Sequence, residues 1–273
     1  MCGSRRTLGF PDRSKPDLLP LLAVKNIKVV NNIHIAPGVL WNFVVNSFRN
    51  PKNLRFHTIR STWGLMKLHA ANGVRNIEVG QITGIGGVNV NLTVNSYDRA
   101  VLCAIMRLTQ PKTFFEIGTY IGETTFAVAH NNPRAKVYTL DLPTPESRGT
   151  ASLEMTDEYL FERWDRGSAF KDTPEAARIQ MLSGDSATFD FTPYLGGMDS
   201  VFIDASHSYS YVKADTEAAL KILSPQGTIL WHDYPTYPGI FAYLNELAAE
   251  LGGEIFHILG TGLAFYSRQN LVD

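Results

Sequence analysis

A glycine-containing turn between an apolar run and a helix-like pattern constrains this chain more than any other feature. The run Phe114–Ile117 is followed by Gly118, Gly122 lies four residues later, and Glu123–Thr125 begins a pattern that continues as a helix. A strand that enters a tight glycine turn and opens a helix is where α/β sheets bind cofactors, because free backbone N–H groups gather there. The turn therefore predicts a cofactor site on an α/β sheet.

Two carboxylates flank this turn and help to distinguish between cofactors. Glu116 lies just before the turn and Glu123 just after it. A pyrophosphate would meet two negative charges where it needs positive potential, whereas an ammonium and a sulfonium would find the field favourable. The turn therefore favours S-adenosylmethionine over a dinucleotide.

Strand and helix signals alternate regularly around the turn. Asn95 and Ser96 form a capping pair before the amphipathic stretch Tyr97–Leu108, which Pro111 ends. Helical stretches, among them Ser208–Leu223, separate five strand signals, and a further helical stretch at 239–251 follows the last of them. The strand signals are Thr113–Ile117, Ala135–Leu140, Arg178–Leu182, Ser200–Asp204 and Gly227–Trp231. Such alternation predicts a parallel sheet covered by helices on both faces.

The last two strand signals must pair differently. Glu254–Leu259 and Leu263–Ser267 are separated by Gly260–Gly262, three residues. A parallel crossover needs about a dozen residues or more, so these strands are expected to pair antiparallel. The predicted fold class is α/β, a doubly wound, mostly parallel, seven-stranded Rossmann-like sheet with an antiparallel C-terminal hairpin.

The chain divides into three predicted parts. Residues 1–20 hold three prolines among polar residues and predict a flexible tail, and 21–94 predict an accessory segment in which 57–71 has a helical pattern. Residues 95–273 form the cofactor-binding domain. Its insertion at 143–177 is longer than an ordinary crossover, and either a lid over an acceptor or a peripheral helix would explain it.

Composition and charge exclude several classes of function. The chain is 44% hydrophobic and 19% charged with a net charge of −1, which predicts a globular protein and gives no indication of nucleic acid or membrane partners. Cys2 and Cys103 are too few for a disulfide framework or a cysteine-based zinc site. No signal peptide or spanning segment is evident, so we expect a cytoplasmic protein.

Three later motifs follow the turn in a recognisable order: Phe202–Tyr209, Pro225–Gly227 and His232–Tyr234. With the turn, residues 95–268 resemble the class I S-adenosylmethionine-dependent methyltransferases, in particular the branch called methyltransferase family 24, distantly related to catechol-type O-methyltransferases. The resemblance covers about two-thirds of the chain. It implies methylation of a hydroxyl on a small molecule, such as a sugar, a phenol or a secondary metabolite.

Acidic residues end four successive strands, at the edge where open α/β sheets bind ligands. A carboxylate at Asp141 can accept both ribose hydroxyls of a cofactor. By the resemblance, the turn backbone holds the methionine part of the cofactor, Asp185 faces the adenine amino group, and Asp204 lies near the methionine ammonium. The predicted cofactor-binding residues are Glu116, Gly118, Thr119, Tyr120, Gly122, Thr124, Asp141, Asp185, Ser186 and Asp204.

A hydroxyl acceptor must also lose its proton, to a base or through a metal that lowers its pKa. We predict catalytic roles for His207, Asp204 and Asp233, and a divalent cation such as Mg²⁺ bound by Asp204 and Asp233. Tyr234 follows where the catechol-type relatives have asparagine, so metal dependence stays open, and His207 could instead cap the next helix. Since His232 alternates with Asp233, we expect one of the two to face the cleft.

Two other functions remain as alternatives. One is a protein that binds S-adenosylmethionine without catalysis. The other is an NAD(P)-dependent short-chain dehydrogenase, because Tyr209–Lys213 matches the Tyr-x-x-x-Lys signature of that family. The missing third glycine and the two carboxylates at the turn disfavour the dehydrogenase. The expected partners are a small-molecule acceptor and a second copy of the chain in a homodimer.

Overall fold

The computed structural model describes residues 60–62, 81–86, 94–143, 165–234, 236–258 and 260–271. Helices and strands alternate through most of this length. In chain order the elements are β1 (Arg60–Thr62), α1 (Ser96–Thr109), β2 (Thr113–Ile117), α2 (Glu123–Asn131), β3 (Lys136–Asp141), β4 (Ile179–Ser183), β5 (Met198–Ile203), α3 (Tyr209–Ile222), β6 (Leu223–Trp231), α4 (Pro238–Glu250), β7 (Ile255–Ile258) and β8 (Ala264–Ser267). Short 3₁₀ helices precede β4 and β5.

Within the described ranges, eight strands form one sheet in the order β1-β7-β8-β6-β5-β2-β3-β4. Strands β2 to β6 pair in parallel with their neighbours in this group, and β8 is antiparallel to both β6 and β7. The mostly parallel, Rossmann-like sheet and its antiparallel C-terminal hairpin are confirmed. The five residues between β7 and β8 are too few for a parallel crossover, so the two strands pair antiparallel.

The eighth strand, β1, comes from the accessory segment. Arg60–Thr62 pairs in parallel with Phe256–Ile258 of β7, so the helical pattern expected over 57–71 was wrong at these residues. Backbone hydrogen bonds to an open sheet edge override the local helical preference. The helical pattern of the sequence carries no information about such distant backbone partners. The remainder of that pattern, and the predicted tail at 1–20, lie outside the described residues.

Strand β6 begins earlier than the sequence indicates, at Leu223 instead of Gly227. Leu223 pairs with Met198, and the register shifts before Thr228 pairs with Ser200. The irregularity accommodates Pro225, which lacks a backbone N–H and is tolerated in a strand at such a position.

Two buried clusters cover the two faces of the sheet. Alternate residues of β2 contribute to opposite clusters: Phe115 packs with Leu244 of α4, and Phe114 packs with Leu102 of α1. Since strand side chains alternate between faces, Glu116 lies on the same face as Phe114. This side of the sheet carries α1 and α2, and that placement decides what Glu116 contacts. No helix in the described part of the chain is long and apolar enough to cross a membrane.

Candidate active site

Gly118 lies where β2 ends and the turn begins. Its φ is +102°, and its N–H donates to the carbonyl of Leu140 at 2.9 Å. A Cβ at this position would overlap the backbone carbonyl oxygen of Asp204, which follows β5. Glycine is needed here because the backbone of the adjacent strand passes directly over the turn.

The other predicted residues of the turn hold it in shape. Gly122 has φ +85° and is the N-cap of α2, and Tyr120 also has a positive φ, of 47°. Thr119 and Thr124 are buried, and the hydroxyl of Thr119 is 2.7 Å from that of Thr139 on β3. The turn is therefore built from strained backbone supported by buried hydroxyls.

Asp141, at the end of β3, closes the turn from the other side. Its Oδ2 accepts the N–H groups of Thr119 at 3.0 Å and Tyr120 at 2.7 Å, and its Oδ1 accepts that of Leu142 at 2.8 Å. Burial raises the pKa of Asp141 in spite of these donors, which lower it. The residue predicted as a ribose ligand is thus also a structural part of the turn, and two N–H groups expected to be free are bound to it.

The C-terminal part of the 143–177 insertion packs against the turn. The N–H of Gly167 donates to the Tyr120 carbonyl at 3.0 Å, and that of Ala169 to the Ile121 carbonyl at 2.9 Å. Arg166 donates to the carbonyl of Asp141 at 3.1 Å. Residues 144–164 lie outside the described residues, so the choice between a lid and a peripheral helix stays open.

Glu116 does not contribute a negative charge to the turn in the way that the sequence suggested. Its carboxylate is 1% exposed, and its Oε2 accepts hydroxyl hydrogen bonds from Thr125 and, at 2.7 Å, from Thr139. Burial raises the pKa of Glu116 to about 8, although the two hydroxyl donors lower it. At neutral pH this group is mostly protonated.

Glu123 is neutralised by a different route. Its Oε2 is 2.8 Å from Nη2 of Arg99, and both side chains are buried. Arg99 also donates to the carbonyls of Ile85 at 2.8 Å and Val94 at 2.7 Å. The argument for S-adenosylmethionine from two charges at the turn was therefore wrong in its premise, because neither carboxylate leaves a free negative charge there.

Asp185 follows β4 and points into the protein. Its Oδ1 accepts the N–H of Ala187 at 3.0 Å, and its Oδ2 accepts the hydroxyl of Tyr211 at 3.1 Å. Ser186 lies next to Asp215 of α3, a fully buried carboxyl whose pKa burial raises to about 7. The turn after β4 is thus a buried polar cluster tied to α3, with Asp185 5% exposed.

His232 lies at the centre of a group of carboxylates. Its Nδ1 is 3.1 Å from Oδ1 of Asp204 and 3.6 Å from Oδ2 of Asp233, and its Nε2 is 3.1 Å from Oδ2 of Asp98. Burial lowers the pKa of His232, but Asp233 and Asp204 outweigh burial and hold it well above the usual value. The sequence left open whether His232 or Asp233 would face the cleft, and in the structure His232 lies between the two predicted catalytic aspartates.

The side chains of Asp233 and His232 both belong to this cluster, so the expectation that one of them would turn away was wrong. Strand β6 ends at Trp231, and Asp233 has a left-handed φ of 61°. Alternation of side chains holds only within a strand, and the positive φ turns Asp233 back toward its neighbour. Burial raises the pKa of Asp233, yet His232 and His207 hold it well below its usual value.

His207 lies beside Asp233 and against an aromatic ring. Its Nε2 is 2.9 Å from Oδ2 of Asp233, and its ring stacks on Tyr237 with centroids 3.8 Å apart and planes at 14°. A small pocket opens beside it, with apolar walls from residues that include Val212 and Ile240. The imidazole is therefore held in one orientation at the edge of a pocket.

A divalent cation could be held by Asp204, His232 and Asp233, because their side chains converge. Each offers one ligand atom, and these atoms lie within 4.8 Å of one another. Two carboxylate oxygens and an imidazole nitrogen are a suitable donor set for a divalent cation. The two aspartates predicted as metal ligands are brought together, with a histidine as a third donor.

The tyrosine and lysine of the dehydrogenase signature, Tyr209 and Lys213, do not form a catalytic pair. The hydroxyl of Tyr209 donates to Oε2 of Glu246 at 2.6 Å, and burial and Glu246 raise the pKa of Tyr209. Lys213 is half-exposed, with Nζ 3.8 Å from Glu217. A catalytic tyrosine of that family needs a lowered pKa, so this geometry argues against the dehydrogenase.

Several residues that shape the site were missed by the sequence reasoning. Asp98 and Arg99 were predicted only as part of one helical stretch, and Tyr211 and Asp215 only as part of another. The one available signal was the cap at Asn95, which places Asp98 in the first turn of α1. Their partners lie far along the chain, so spacing within a helix could not identify them.

The chain is similar in sequence to one family of known proteins and in fold to several solved structures. Residues 115–234 match the family model Methyltransf_24, described as a methyltransferase domain, and no curated protein matches the chain. The O-methyltransferase TomG from Streptomyces achromogenes, solved in complex with S-adenosylmethionine, is 16% identical with a TM-score of 0.47, over 72% of this chain and 92% of TomG. The S-adenosylhomocysteine-bound methyltransferase PaMTH1 from Podospora anserina is 17% identical with a TM-score of 0.47, over 72% of this chain and 90% of PaMTH1.

Proposed function

We propose, from the premise that residues 115–234 are a methyltransferase domain of family 24, that this protein transfers the methyl group of S-adenosylmethionine to a hydroxyl oxygen of a small molecule. One observation carries the proposal. The turn at Gly118 is in contact with the backbone of Asp204, and Asp204 belongs to the histidine–carboxylate cluster that contains Asp233. A cofactor turn and a group able to accept a proton are therefore adjacent.

The cofactor proposal is supported by the topology of the sheet. Strands β2, β3, β4 and β5 are parallel neighbours, so Gly118, Asp141, Asp185 and Asp204 lie at the same edge. When bound, S-adenosylmethionine supplies an electrophilic methyl group. In our proposal the backbone of the turn and Asp204 bind its methionine part, and Asp141 binds its ribose through the acceptor capacity that the turn leaves unused.

His207 is the proposed general base. Asp233 accepts the Nε2–H of His207 and so fixes the orientation of the ring, while stacking on Tyr237 limits its rotation. An acceptor hydroxyl in the adjoining pocket would lose its proton to this imidazole as its oxygen attacks the methyl group.

A divalent cation such as Mg²⁺ is the second component of the proposal. Asp204, His232 and Asp233 would hold it, and when bound it lowers the pKa of a coordinated hydroxyl. A base and a cation act on the same proton, so the two parts are compatible. The identity of the acceptor, whether a sugar, a phenol or a secondary metabolite, is left to experiment.

Calorimetry of S-adenosylhomocysteine binding, with and without Mg²⁺, is the decisive test. Micromolar binding would support the cofactor, and a change in affinity with Mg²⁺ would support the cation site. Absence of binding in both conditions, together with a rise in melting temperature on adding NADPH, would overturn the proposal in favour of a dehydrogenase.

The reaction itself is tested by incubating the protein with labelled S-adenosylmethionine and a panel of hydroxylated small molecules. Label transferred to a hydroxyl oxygen is the expected result. Cofactor binding without transfer to any member of the panel would favour the non-catalytic binding protein. A cytoplasmic location and a homodimer stay predictions, and size-exclusion chromatography would check the second.

A further inference from the structure

Asp98 makes an unusual set of contacts for a residue in the first turn of a helix. It is 2% exposed, and its Oδ2 lies 3.1 Å from Nε2 of His232. The same oxygen accepts the N–H of Gly262 at 3.0 Å. Asp98 precedes the segment 115–234 that matches the methyltransferase family, so α1 contributes a contact to the cluster from outside that segment.

We propose that Asp98 is a positioning residue of the methyl-transfer site, an inference that rests on the proposed function. Its Oδ2 accepts the Nε2–H of His232 and thereby directs Nδ1 toward Asp204 and Asp233. An imidazole with a fixed acceptor on one nitrogen presents the other nitrogen in a defined direction. Carboxylates that hold a histidine in this way are known to tune its capacity as a ligand.

Helix capping does not account for the Asp98 carboxylate. The side chain of Asn95 already caps α1, because its Oδ1 accepts the N–H of Asp98 at 2.9 Å. In a capping box, the third helical residue would bond back to the N–H of the cap. Here the carboxylate instead contacts His232 and the hairpin turn at Gly262.

The packing of α1 does not explain the buried Asp98 carboxylate either. In the described part of the chain, Oδ1 of Asp98 is buried without a hydrogen-bond partner. A buried, half-satisfied carboxylate lowers stability, so a purely structural position would favour an apolar residue or a fully bonded one. Orientation of His232 explains why an aspartate lies at this position, whereas a contribution to stability does not.

The pair has little room to move. A Cβ on Gly262 would lie 3.1 Å from Oδ2 of Asp98 and 3.4 Å from Nε2 of His232. The carbonyl of Gly262 also accepts the N–H of Tyr234 at 2.9 Å. The β7–β8 hairpin, α1 and the end of β6 therefore meet at this hydrogen bond and hold it in place.

The ring protons of His232 give the most direct test. In protein labelled with ¹⁵N-histidine, we expect a slowly exchanging Nε2–H signal that is absent from H232Q, which provides the assignment. D98A should lose this signal to fast exchange with water, whereas D98N should retain it, because the amide oxygen can still accept the proton. N95A is the matched control, since it loosens the same helix end without contacting His232.

A second variant keeps the proposal testable if D98A does not fold. G262A leaves every charge in place but pushes on Asp98, so it should shift the Nε2–H resonance without removing the cap of α1. A signal that persists unchanged in D98A and G262A, or that N95A alters as strongly, would overturn the positioning role.

Calorimetry separates this inference from the proposed function. S-adenosylhomocysteine binding by the wild-type protein tests the proposed function and requires no change at Asp98. Loss of binding in the wild-type protein would refute the proposed function, while the ring-proton signal would still decide whether Asp98 holds His232.

Discussion

Nε2 of His207 lies 2.9 Å from Oδ2 of Asp233, a residue in left-handed backbone conformation just beyond the end of a strand. The two residues are separated by 26 positions that span a complete helix and strand, and the contact exists because β5 and β6 are parallel neighbours. A histidine oriented by a carboxylate beside a pocket is the arrangement expected of a general base. Five predictions follow from this and the neighbouring contacts.

Replacing His207 by glutamine should lower kcat for methyl transfer by about 10²- to 10⁴-fold, because the acceptor hydroxyl loses its base. Binding of S-adenosylhomocysteine should change by less than about twofold, since the cofactor turn is untouched. Turnover and calorimetry on the same preparation would measure both. Y209F is the matched control and should retain activity; if it lost activity instead, the dehydrogenase signature would regain support.

Gly118→Ala should destabilise the fold by at least about 3 kcal/mol, because its Cβ meets the backbone of Asp204 and its φ is positive. Gly196→Ala separates the two causes: it has φ +64° but nothing within 4 Å of the added atom, so a cost of about 1 kcal/mol is expected. Urea unfolding measures both variants. Equal costs would show that close approach to Asp204 is not what requires glycine.

Asp141→Ala should both weaken S-adenosylhomocysteine binding by at least about tenfold and destabilise the protein by about 2–3 kcal/mol. The variant removes the acceptor of three backbone N–H groups as well as the proposed ribose ligand. Calorimetry and urea unfolding give the two quantities, with the exposed Asp172→Ala as control. Reduced stability with unchanged affinity would restrict Asp141 to a structural role.

Stability should fall as pH rises from about 4.5 to about 8, the interval between the ordinary and the raised pKa of Glu116. The folded state binds a proton there that the unfolded state has released, so each pH unit favours unfolding, by about 1.4 kcal/mol at most. E116Q should flatten this slope, because glutamine does not titrate, and its amide oxygen can still accept from Thr125 and Thr139, which preserves the local structure. Asp215, with a pKa raised to about 7, leaves a residual slope. Urea unfolding at several pH values measures the pH dependence of the free energy of unfolding. If E116Q shows the same dependence as the wild type, groups other than Glu116 cause it.

Asp204→Asn should weaken Mg²⁺ binding by at least about tenfold, because it replaces a charged oxygen ligand by a neutral one. This variant is more informative than Asp233→Asn, since Asp233 also orients His207 and its loss would affect the base. Titration calorimetry with Mg²⁺ is the measurement, and Asp190→Asn, on the exposed surface, is the control. Methyl transfer that is indifferent to a chelator would end the proposal of a cation.

Much of the fold could be predicted because its signals are local. The seven strands predicted after residue 95 all occur, since each is specified by a short apolar run and its flanking breakers. The antiparallel hairpin followed from a loop of three residues, which limits pairing by length alone. Strand β1 was missed because a three-residue edge strand has almost no pattern of its own.

The order of strands and turns along the chain predicted that Gly118, Asp141 and Asp204 lie at the carboxyl ends of parallel strands, and all three lie at that edge of the sheet. The electrostatic state of the site was decided by tertiary structure. Strand alternation buries Glu116 on the helix-covered face of the sheet, and this burial raises its pKa. Helix packing brings Arg99 to Glu123, and the ion pair neutralises that carboxylate. Likewise, Asp98 reaches His232 across 134 residues. Charge and hydrogen bonding depend on distance and burial in space, and a sequence specifies neither until the chain has folded.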